Sequence, residues 1–137
     1  MLNARSFTQV LCLVLASVVL LSASTTASSE FTGAYVLGAP TAAGNEIQLS
    51  ISFNVANNTS SGISNATLAV HDPRAARVTY GEITGISIAA GDSVRATGFF
   101  KVPKSLHDSW QRGNTPAVSV TYNDADGNAV KAFIQFQ

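Results

Sequence analysis

The chain has 137 residues, with eight Lys and Arg against eight Asp and Glu and a formal net charge of zero. Apolar residues make up 46% and charged residues 12%, the latter about half the usual share. This excludes a disordered polyelectrolyte, an acidic or basic tail, and a protein that binds nucleic acid through bulk charge; the length suits one domain.

Residues 1–27 read as a secretory signal peptide. Arg5 supplies a positive charge, Val10 to Leu21 form an apolar run broken by Ser17, and Ser22 to Ser29 are small and hydroxylated. The run is shorter than the roughly 20 apolar residues of a membrane span, so stable insertion after cleavage is not expected. Cleavage after Ala27 or Ser24 fits the small-residue pattern. Cys12, the only cysteine, lies inside the run, so the mature domain has no disulfide, thiol nucleophile or zinc–thiolate site. Removing Arg5 leaves seven positive against eight negative side chains, a net charge of −1.

Phe31 to Leu37 carries a weak strand signal, and Ala39 to Asn45 reads as a link, so residues 28–45 are an N-terminal strand and linker. From 46 to 137 the pattern is period two. Ile47, Leu49, Ile51, Phe53 and Val55 alternate with polar residues, as a half-buried strand requires. Asn57 to Gly62 is a polar turn. Ala66, Leu68 and Val70 repeat the alternation before the Asp72-Pro73 loop. Val78 to Ile83 and Ile86 to Ile88 are weaker strands, and Ala90-Gly91-Asp92 turns the chain. Val94, Ala96, Phe100 and Val102 alternate again. Pro103 to Arg112 predicts one short helical turn, with Leu106 and Trp110 on one face and Gly113 as its stop. Val118, Val120 and Tyr122 precede the Asp124 to Asn128 hairpin signal, and Val130, Ala132, Ile134 and Phe136 close the chain. Seven to eight short strands with one apolar face each predict an all-β antiparallel sandwich.

The order of these segments resembles the immunoglobulin-like modules of bacterial exported proteins. The likeness rests on the alternating strand from Ile47, the NNTSSGISNATL and IAAGDSVRATGFFKV segments, and the VTYNDADGNAV hairpin. The second segment is similar to the turn-and-strand of cell-adhesion-related and adaptor-appendage-like sandwiches. Antibody-type domains differ: this sequence has no cysteine pair, and Trp110 is not in an early strand. The resemblance implies a sandwich with an exported binding or structural role, and it transfers no catalytic residue.

Candidate chemistry is sparse. Asp124, Asp126 and Asn128 offer oxygens to a hard cation but lack the spacing of a calcium loop, so they read as a hairpin tip. His71-Asp72 with Arg74 and Arg77 is the densest polar group; a His beside a carboxylate can act as a base, but this one reads as a charged loop at a strand end. His107-Asp108 in the short helix reads the same way. Asn57, Asn58 and Asn65 each open an N-x-S/T acceptor sequence and otherwise serve as turn residues.

Phe99 and Phe133 fall opposite the apolar register of their strands. On a solvated face they form, with Trp110, a candidate partner-binding patch; otherwise the short helix carrying Leu106 and Trp110 covers them. No metal, cofactor or catalytic residue is expected. The sequence thus predicts an exported (periplasmic, cell-surface or secreted), non-enzymatic module that binds an unknown protein or envelope component. The alternative is a self-associating structural subunit that donates residues 31–40 to a neighbour's sheet.

Overall fold

The computed structural model describes residues 29–137; the signal peptide expected at 1–27 lies outside them. Among the described residues nine strands and one helix follow in order: β1 (Phe31–Leu37), β2 (Thr41–Ala43), β3 (Glu46–Asn57), β4 (Ile63–Asp72), β5 (Ala75–Ile88), β6 (Ser93–Pro103), α1 (Lys104–Gln111), β7 (Ala117–Asn123), β8 (Ala129–Phe133) and β9 (Gln135–Phe136). They form two sheets, as the alternating pattern predicts.

In sheet A, β3 is central. β6 pairs antiparallel along one flank, from Glu46 opposite Pro103 to Ala56 opposite Ser93. β1 and β2 share the other flank, with Phe31 opposite Asn57 and Thr41 opposite Gln48. The segment expected as a link therefore contributes a short strand, and β1 is seated in the sheet of its own chain. The last strand, β9, lies parallel to β1, so one pair departs from the antiparallel rule. Sheet B has the order β5-β4-β7-β8.

The core lies between the sheets. β3 sends Ile47, Leu49, Ile51, Phe53 and Val55 inward and β4 sends Ala66, Leu68 and Val70. Val118 and Val120 of β7 and Phe100 and Val102 of β6 complete it. The Phe53 and Phe100 rings meet edge to face at 6.1 Å, a favoured aromatic geometry. Ile134, between β8 and β9, is buried and donates its N–H to the Val118 carbonyl at 2.9 Å, where the chain passes from sheet B to sheet A.

Two weak strand signals, 78–83 and 86–88, merge into the long β5. Its pairing with β4 is irregular, and Gly81 (φ +147°) and Gly85 (φ +73°) take conformations that favour glycine. At Gly81 a Cβ would lie 2.7 Å from the Phe100 ring. A bare backbone at this point lets β5 close against β6 and seals that side of the sandwich.

The helix is longer than the single turn expected: α1 has eight residues, begins after Pro103 and contacts β6 and β3. It presses His107 and Trp110 inward. Among the described residues no helix is long and apolar enough to cross a membrane.

Candidate functional site

The three aromatics expected to form one patch separate. Trp110 is only 5% exposed and belongs to the core, because the second turn of α1 carries it over the end of the sandwich. Phe99 is 78% exposed on β6 of sheet A, opposite Ser50 of β3. Phe133 is 50% exposed on β8 of sheet B, opposite Ser119 of β7. Their core-facing neighbours, Phe100 and Ile134, are buried. Phe99 and Phe133 therefore point outward from different sheets, and α1 covers neither.

The more organised surroundings belong to Phe133. The register places Ala69, Ser119 and Phe133 in one row across sheet B, and Thr67, Thr121 and Lys131 in the next. Glu82 of β5 stands opposite Ala69, and Thr79 opposite His71. All of these except Phe133 line an open depression of about 300 Å³. The Phe133 and His71 rings have centroids 5.4 Å apart. Lys131 Nζ lies 5.6 Å from the Phe133 centroid, within cation–π range. The outward ring is thus fixed from two sides.

His71 is not the loop residue the sequence suggests. β4 runs on to Asp72, which places His71 within the sheet at 2% exposure. Its Nδ1 lies 2.7 Å from the Ala76 carbonyl, which can only accept, so Nδ1 carries the proton. In the neutral ring Nε2 then accepts from the Ser119 hydroxyl at 2.6 Å. The spacing equals that of a nucleophile and its base. Ser119, however, has no exposed surface. The contact satisfies two buried polar groups beneath the Phe133 ring. Residues 71 and 119 lie far apart in sequence, and only the β4–β7 register joins them.

Strand alternation sends Asp72 elsewhere. Its Oδ1 accepts the Arg74 N–H and its Oδ2 the Tyr80 hydroxyl, each at 2.7 Å. The Tyr80 bond, then the Arg74 N–H, hold the carboxyl below its usual range. Burial, then that same bond, push the Tyr80 phenol up. His107 is 8% exposed and receives a long 3.4 Å contact from Gln111 Nε2. Among the described residues the two histidines share no hydrogen-bond partner.

Asp124 Oδ1 accepts the N–H groups of Asp126 and Asn128 at 3.0 and 2.9 Å, forming the hairpin tip. Among the described residues no group of three or more His, Cys, Asp or Glu gathers to hold a metal. Asn57 is fully buried: its Nδ2 donates to the Ser61 and Ile88 carbonyls, and its Oδ1 accepts from the Thr59 N–H and hydroxyl. It is a turn anchor closed to modification. Asn58 is exposed, with Nδ2 on the Ser29 carbonyl and the Thr32 hydroxyl. Asn65 is exposed, with φ +51°.

No family model matches the sequence, and no curated protein matches it. Among solved structures the chain is similar to a Northeast Structural Genomics Consortium target, at 11% identity and TM-score 0.43 over 80% of this chain and 85% of that one. It is also similar to part of a GH20 exo-β-N-acetylglucosaminidase from Vibrio harveyi, at 15% identity and TM-score 0.41 over 80% of this chain. The match spans 18% of that enzyme. Likeness at this distance carries no functional inference.

Proposed function

We propose that the chain is an exported, non-enzymatic, immunoglobulin-like module that binds a hydroxylated cell-envelope component through the outer face of sheet B. The supporting observation is Phe133: an aromatic ring half open to solvent, braced by His71 and Lys131, which themselves line the open depression. An apolar ring next to threonine hydroxyls, one acid and one amine suits a ligand with both C–H faces and hydroxyl groups. Such a ligand is a polysaccharide rather than an apolar protein patch, which asks for contiguous apolar area. Export rests on the reading of residues 1–27. The non-enzymatic reading is supported by the burial of Ser119 under the same ring.

Affinity electrophoresis through gels containing purified cell-wall polysaccharides tests this. The wild-type mature chain is retarded in at least one gel. Phe133→Ala weakens that retardation at least tenfold, and Phe99→Ala leaves it unchanged. Retardation in none of the gels, or equal loss in both variants, overturns the reading.

A further inference from the structure

Asp72 opens onto a second feature, a cleft of about 250 Å³ between the β4–β5 turn and α1. We propose that it binds a small organic monocarboxylate, with Arg74 and Arg112 as the anion-holding groups. The reading is independent of the sheet B face.

Arg74 and Arg112 both line the cleft. The one acid there, Asp72, has each oxygen engaged by the Arg74 N–H and the Tyr80 hydroxyl. Among the described residues neither guanidinium hydrogen-bonds to a carbonyl or side chain; only the backbone N–H of each arginine does so. Two positive charges against one fixed negative charge leave a net positive cleft on a mature chain of net charge −1.

Hydroxyls stand beside the charges. Ser105 and Ser109, four apart on one face of α1, and Arg112, the residue that caps its C-terminus, all line the cleft. Ser109 Oγ accepts from Asn114 Nδ2 at 2.9 Å, which leaves its own proton free to donate into the cleft. Pro73, Pro103 and Leu106 supply rigid apolar wall for a carbon skeleton.

The charge balance selects among anions. A guanidinium fork matches carboxylate and phosphate alike. A dianionic phosphate would sit against the fixed Asp72 charge, whereas a monoanion neutralises the single excess positive charge. The volume suits one sugar ring or one amino acid.

The test is an NMR titration of the mature chain with glucuronate, N-acetylalanine, glucose and inorganic phosphate, read at backbone and arginine side-chain N–H signals. A saturable shift around Arg74, Ser109 and Arg112 with either carboxylate supports the proposal, and the tighter of the two tells a sugar acid from a chain-terminal carboxylate. Glucose binds at least tenfold more weakly. Arg112→Gln and Arg74→Gln each weaken carboxylate binding at least tenfold with an otherwise unchanged spectrum, and Phe133→Ala has no effect. Equal response to glucose and glucuronate, tighter binding of phosphate, no saturation, or wild-type binding by both arginine variants overturns it. The wild-type ligand comparison decides even if an arginine variant fails to fold.

Discussion

His71 Nε2 lies 2.6 Å from Ser119 Oγ, across the β4–β7 pair and beneath the Phe133 ring. An unpaired ring nitrogen here would be desolvated with no compensation, so the pair stabilises the sheet that presents Phe133. Ser119→Ala is expected to lower unfolding free energy by about 1–3 kcal/mol in a urea titration. The same variant separates structure from catalysis. Ester hydrolysis by the wild type and by Ser119→Ala should be equal, and a rate that falls with the hydroxyl would return the pair to the role of nucleophile and base.

Asn57 fixes the turn that precedes β4. Its fully buried side chain satisfies two carbonyls and accepts from Thr59 twice. Asn57→Ala should cost roughly 2–3 kcal/mol, because the partners it leaves cannot all be rehydrated. Asn58→Ala, at an exposed position, should cost well under that. Paired denaturant curves check both values.

Gly81 carries φ +147°, and a Cβ would meet Phe100 at 2.7 Å. Gly81→Ala combines backbone strain with overpacking and is expected to destabilise by about 2–4 kcal/mol. Gly127→Ala, at the exposed tip with nothing within 4 Å, bears only the strain of φ +80° and should cost less. Thermal unfolding of the two variants side by side measures the difference.

Tyr80 and the Arg74 N–H depress the Asp72 carboxyl. A carboxyl whose folded pKa is lowered adds stability that is present above its unfolded pKa of 3.8 and is lost as pH falls through the lower folded value. Tyr80→Phe removes the larger cause. The Asp72 midpoint followed by NMR should rise toward 3.8, and the stability gap between wild type and variant should narrow below that pH. An unmoved midpoint would assign the shift to the Arg74 N–H.

β1 lies along β3 for all seven of its residues and buries Phe31 completely. With that seat filled by its own chain, light scattering of residues 28–137 should give a monomer mass across a concentration series. A ladder of oligomers that disappears when residues 28–45 are deleted would instead support donation of residues 31–40 to a neighbour.

The sequence by itself determined the elements that alternate. The run from Ile47 to Val55 announces a half-buried strand because side chains two apart share a face, and β3 fulfils it residue by residue. The hairpin tip at Asp124 to Asn128 was equally legible, because Asp and Asn bond their own backbone whatever surrounds them. The weak signals at 78–88 and the small residues at 41–43 were legible only in part, since their conformation is imposed by β4, β3 and the close approach to Phe100.

Tertiary structure alone decided the candidate sites. Alternation shows that Phe99 and Phe133 oppose the apolar register, but not that they stand on different sheets; strand order decides that. Neighbours 71 and 72 look like one polar group in the sequence. A continuous strand turns His71 toward Ser119 and Asp72 toward Tyr80, and the partners of both come from chain segments whose distance in space no local pattern records.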